Sequence, residues 1–102
     1  MPDHIDDITS FPRQIESGGP LTAEVRYRCL SPGRVIEAVL VSDGFTMVAE
    51  PPSHPAVPGA GTRHVDFRLT LTRTSAAPGS DCCVKFTMNS PSAPGLQNYT
   101  VD

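Results

Sequence analysis

Three cysteines and three histidines are the side chains of this 102-residue chain best suited to nucleophilic or metal chemistry. Zinc ligands usually come in close pairs such as C-x-x-C. Here Cys82 and Cys83 are adjacent, Cys29 is remote, and His4, His54 and His64 are scattered, so the spacing predicts no metal and no cofactor. A thiol nucleophile needs an exposed cysteine beside a positioned histidine; only Cys83 with His54 or His64 offers that pairing, and no local motif supports it. No G-x-S-x-G elbow, phosphate-cradling glycine loop or H-E-x-x-H helix occurs. Carboxylates stand singly apart from Asp6-Asp7, which leaves a calcium loop unsupported. The chain therefore reads as not an enzyme, with a thiol-based or redox activity at Cys83 as the outside alternative. Asn98-Tyr99-Thr100 fits the glycosylation pattern, which has meaning only in a eukaryotic secretory setting.

Composition narrows the partners. A net charge of −3, 6% aromatic residues and no tryptophan argue against nucleic acid, which calls for a basic face and stacking rings. No run approaches the roughly 20 apolar residues of a membrane span, and nothing near Met1 reads as a charged-then-apolar leader. Eight glycines and 11 prolines disfavour long helices. Seven arginines to a single lysine, Lys85, with abundant alanine, proline and glycine, suggest a GC-rich genome.

The elements that would position any site are strands. Four Pro-Gly pairs, at 32–33, 58–59, 78–79 and 94–95, predict type II turns, because proline presets the first central φ and glycine accepts the positive second one. Between them apolar residues alternate with period two. Leu21, Ala23, Val25, Tyr27 and Cys29 form one apolar face, and Val65, Phe67, Leu69 and Leu71 another. Cys82, Val84, Phe86 and Met88 form a third, and Tyr99 and Val101 close the chain. By this alternation Cys29 and Cys82 point inward and Cys83 outward. Four of the six aromatic rings, Tyr27, Phe67, Phe86 and Tyr99, also point inward, which disfavours carbohydrate binding. Val35–Val41 is apolar on both faces except at Glu37, as suits an interior strand, and Asp43-Gly44 after it predicts a hairpin to Phe45–Val48. Phe11-Pro12 makes the 8–15 stretch an edge strand or extended arm, and residues 1–7 a flexible N-terminal arm. The Pro-rich 51–59 stretch suits a crossover between sheets. Residues 8–102 thus form one all-β, antiparallel sandwich domain of about seven strands.

The strand order, the Pro-Gly turns, the loop leading into Thr62–Thr72 and the final Asn98-Tyr99-Thr100-Val101-Asp102 strand resemble bacterial immunoglobulin-like modules of the cell-adhesion-related type. That resemblance implies an immunoglobulin-like sandwich whose second and sixth strands face each other, so that Cys29 and Cys82 either bridge or remain buried thiols. It places Glu24, Arg26 and Arg28 beside His64, Asp66 and Arg68 on one sheet, where opposite charges would neutralise each other across the ladder. It also sets Val35, Val39 and Val41 on the outer side of the other sheet as a candidate interface. The implied function is non-catalytic: protein interaction, self-association or adhesion through a sheet face, an edge strand or loops, with a spacer role in a surface or virion assembly as the alternative. The compartment turns on whether Met1 is the natural start, which implies the cytoplasm, or the edge of an excised domain, which implies the cell surface or exterior.

Overall fold

Period-two alternation builds the long core strands, and the described residues form nine strands in all and no helix. They are β1 (His4–Phe11), β2 (Gln14–Ile15), β3 (Pro20–Cys29), β4 (Val35–Leu40), β5 (Phe45–Glu50), β6 (Ser53–Pro55), β7 (Gly59–Arg73), β8 (Ser80–Met88) and β9 (Gly95–Val101). The computed structural model describes residues 3–102. Two sheets result, one of four strands in the order β1-β3-β7-β5 and one of five in the order β2-β9-β8-β4-β6.

The inward residues of both sheets form one core. Val25, Tyr27, Phe67, Leu69 and Leu71 come from the four-stranded sheet, and Ile36, Val84, Phe86, Tyr99 and Val101 from the other. Phe67 and Phe86 meet with ring centroids 5.8 Å apart and planes tilted by 50°, which joins the sheets near the middle. Tyr99 reaches across to β1, its hydroxyl 2.7 Å from Ser10 Oγ. The Tyr27 hydroxyl accepts a hydrogen bond from Val57 N at 3.0 Å and holds the Pro-rich segment against the core.

Several expectations are corrected. The strands number nine rather than about seven, because the short β2 and β6 are added at the two edges of one sheet. Residues 3–7 are not a free arm: His4–Phe11 is a strand paired with β3. A bulge between Ile5 and Asp7 breaks the alternation that would have revealed it. Met1 and Pro2, the rest of that expected arm, lie outside the described residues. The Asp43-Gly44 hairpin does not form; β4 pairs with β6 and β8, while β5 pairs with β7 in the opposite sheet. A type I′ turn needs two positive φ values, and here Gly44 alone has one. The Gly44 carbonyl instead accepts from Thr74 N and Ala76 N, which carries the chain between sheets. The 51–59 stretch crosses twice, from β5 to β6 and back to β7.

Two of the Pro-Gly pairs behave as type II turns should, with φ of 81° at Gly33 and 80° at Gly79. Gly95 has another role. A Cβ there would collide with Ile8 Cδ1, so the absence of a side chain lets β9 approach β1.

Candidate functional site

β4, β8 and β9 carry the exposed side chains that matter most. In the ladder Leu96 lies opposite Lys85, and Lys85 opposite Val39. One step along, Asn98 lies opposite Cys83, whose carbonyl accepts from Val41 N at 3.0 Å. All of these alternate with buried neighbours such as Val84 and Tyr99, so they share the outer face of the five-stranded sheet. Val39 is 37%, Val41 52% and Leu96 58% exposed, which leaves an apolar strip across three adjacent strands with Lys85 and Cys83 between its members. Val35 is half-buried at the end of the strip, and Glu37 interrupts it. Of the expected interface residues, then, Val39 and Val41 are open and Val35 is largely covered. Leu96 was not foreseen; its phase relative to the buried Tyr99 would have marked it as outward.

The cysteines separate. Cys29 lies at the end of β3, where Leu30 N donates to Asp3 at 2.7 Å, Arg34 Nε to Asp3 at 2.9 Å, and Arg34 also bonds the carbonyl of Asn89, just past Met88. Cys82 lies six residues back along β8, about 20 Å from Met88 at roughly 3.3 Å per residue, toward the other end of the sheet. A disulfide needs Cα atoms within about 7 Å, and both residues are buried free thiols. Cys29 Sγ donates to the Ser31 carbonyl at 3.1 Å. Burial pushes the Cys82 thiol up to about 11, which suppresses its thiolate.

Cys83 and the histidines do not form a dyad. Cys83 is on the outer face of the five-stranded sheet, while His64 lies on the outer face of the four-stranded one, opposite Arg26. The His54 ring packs edge-on against Phe67, centroids 4.9 Å apart, and its Nε2 donates to the Asp66 carbonyl at 2.6 Å. Among the described residues no group of three His, Cys, Asp or Glu side chains could hold a metal. No helix of the described residues is long and apolar enough to cross a membrane.

The charged face of the four-stranded sheet also differs from expectation. β3 and β7 are neighbours, but Glu24 lies opposite Asp66 and Arg26 opposite His64, so the ladder does not pair opposite signs. Neutralisation runs along the strand and to β1. Arg26 Nε donates to Glu24 at 3.0 Å, which raises the Arg26 pKa, and Arg28 Nε donates to Asp6 at 3.0 Å. A hollow of about 290 Å³ lies here among Glu24, Arg26, Thr62, Arg63 and His64. A second, of about 190 Å³, lies at the Cys29 end beside Leu30, Ala60 and Asp3. The Asp3 carboxylate is already satisfied: hydrogen bonds from Leu30 N, Ser31 and Arg34 hold its pKa well below the usual carboxylate range. It ties β1 to the turn after β3 and offers the hollow no free acid.

Comparison with known protein families and with curated proteins finds no match to this chain.

Proposed function

We propose that the chain is a non-catalytic protein-interaction module on an immunoglobulin-like sandwich, binding through the outer face of the five-stranded sheet. The observation that carries this reading is the strip of Val39, Val41 and Leu96, open to solvent while the alternating positions on the same strands are buried. Exposed apolar side chains gathered across adjacent strands mark contact surfaces more often than scattered ones do. The architecture supports it. Two all-β sheets, ordered β1-β3-β7-β5 and β2-β9-β8-β4-β6 around one core, are compatible with an immunoglobulin-like sandwich and support that part of the reading. The non-catalytic part of the reading rests on the separation of Cys83 from His54 and His64.

A photo-crosslinking residue at Val41, with one at Thr22 on the opposite sheet as control, tests the proposal in the source cell. Adducts from position 41, absent from position 22 and lost with Val39→Asp while the circular dichroism spectrum is retained, are expected. Equal yield from both positions, or none from position 41, refutes the face as the binding surface.

A spacer role is the second reading, favoured by shape. The molecule measures 43 × 20 × 18 Å. Asp3 is held at the Leu30 end, and Asp102 at the other, where its N–H donates to Ile15 and its carbonyl accepts from Ser17. Chain entry and exit at opposite ends suit modules joined end to end.

A further inference from the structure

Every open β-sheet has edges that can template pairing, and proteins blunt them with bulges, prolines, charges or short length. Three of the four edge strands here are blunted. β1 carries the bulge between Ile5 and Asp7, with Asp6 and Asp7 on it, and is followed by Pro12. β2 has only two residues. β6 has three, one of them Pro55, and follows Pro51-Pro52. The stretch of β7 that β5 leaves uncovered is also obstructed, by the register offset opposite Tyr27 and Cys29 and by His54 on the Asp66 carbonyl. β5 is different. Its six residues, Phe45-Thr46-Met47-Val48-Ala49-Glu50, contain no proline, no register shift and no charge before the last position, and the Pro51-Pro52 pair that follows blunts the edge only past Glu50.

The direction of its backbone groups follows from four hydrogen bonds. The Asp66 carbonyl points toward β6, on the β5 side of β7, while the Leu71 carbonyl accepts from Gly18 N on the β3 side. Even-numbered residues of β7 therefore bond β5, through their partners Thr46, Val48 and Glu50. The Gly44 carbonyl, in phase with these, accepts from Thr74 and Ala76 next to β7. Phe45, Met47 and Ala49 then turn their N–H and C=O groups outward along the free edge.

We infer that this edge pairs antiparallel with the same edge of a second copy of the chain, about a two-fold axis at Met47. The outward phase requires odd residues to face odd residues. With Met47 opposite itself, Phe45 faces Ala49 and Thr46 faces Val48, a pair of β-branched residues suited to a ladder. Glu50 falls opposite Gly44, so no like charges oppose each other. Val48, 56% exposed on the outer face, gains cover from the second copy's threonine. The two four-stranded sheets become one continuous sheet of eight with isologous symmetry. The strip on the other sheet remains free, so the dimer and the proposed binding face are independent.

A six-residue edge is a small interface, so dissociation is expected between about 10 µM and about 1 mM. Sedimentation equilibrium of the wild-type chain across that range should show reversible monomer–dimer exchange. Amide exchange should slow with concentration at Met47 and Ala49 but not at Thr46 and Val48, which already bond β7. Val48→Lys should weaken the dimer at least about tenfold, whereas Val39→Asp should leave it intact. A chain that stays monomeric throughout overturns the inference. So does a dimer without added protection at Met47 and Ala49, which is read on the wild type and does not depend on any variant folding. A dimer lost with Val39→Asp and kept with Val48→Lys overturns it too, and assigns self-association to the sheet face.

Discussion

The hydrogen bond between Ser10 and Tyr99 joins β1 of one sheet to β9 of the other, and its removal has a calculable signature. The oxygens are 2.7 Å apart, Tyr99 is wholly buried and Ser10 is 8% exposed. Ser10 Oγ also reaches Gln97 Oε1 at 3.5 Å, too long to replace the first bond. Tyr99→Phe leaves a serine hydroxyl at the rim that water can approach, so the expected cost is about 1 kcal/mol. Ser10→Ala strands a phenol in the core and should cost more, about 1–3 kcal/mol. The double variant leaves no orphaned hydroxyl. It should be less destabilised than the two single effects added together, with a coupling of about 1–2 kcal/mol. Urea unfolding of the four proteins measures this directly, and each kcal/mol should lower Tm by about 4–8 °C for a domain of this size. Additivity of the two single changes would show that the hydroxyls contribute nothing to each other and that this bond does not tie the two sheets together.

Gly95→Ala brings a Cβ onto Ile8 Cδ1, the free end of a half-buried side chain that can turn aside, so it should cost only about 0.5–1.5 kcal/mol, and Ile8→Val, which removes the colliding Cδ1, should restore most of the loss in a thermal melt. Because the folded Asp3 pKa is depressed, its contribution is complete above the unfolded value near 3.9 and is lost as pH falls through the folded value. The stability gap between wild type and Asp3→Asn should therefore be flat at neutral pH and shrink below about pH 4, as read from urea midpoints; a gap that widens on acidification would reverse the assignment. Under native conditions a thiol reagent should modify the half-buried Cys83 first, and Cys29 and Cys82 only on unfolding, with all three titrating in denaturant. Rapid modification of Cys82 in the folded chain would contradict its burial.

Alternation exposed the strands that build the core, because β3, the inner half of β7, β8 and β9 each bury one face against the other sheet. It failed where local geometry departs from period two. Asp6 lies in a bulge, so residues 4–7 read as part of a flexible arm, whereas the second half of β1 was legible as an edge strand from Phe11-Pro12. Asp43-Gly44 carried a strong local hairpin signal, yet β5 finds its partner in Thr70, Leu71 and Thr72 of β7, far along the chain. Tertiary pairing overrides turn propensity there. Val39 and Val41 were expected outward only through the immunoglobulin-like resemblance, because their own strand is apolar on both faces except at Glu37. Their company with Leu96 and Cys83 was not, because it depends on the register of β8 with both β4 and β9. The facing of Glu24 with Asp66 is likewise a matter of register, which residue types do not encode.

The parallel pairing of β2 with β9 also bears on how the molecule carries load. Gln14 and Ile15 lie beside Thr100 and Val101, with bonds from Thr100 N to Arg13, Asp102 N to Ile15 and Ser17 N to Asp102 all near the C-terminal end. Tension applied between the N- and C-terminal ends pulls these two segments past each other along their length. The three bonds then share the force at once instead of opening one after another like a zipper. Stretching single molecules from their two ends should show a barrier that falls when Ser17→Pro removes the N–H that donates to the Asp102 carbonyl, one of the three bonds.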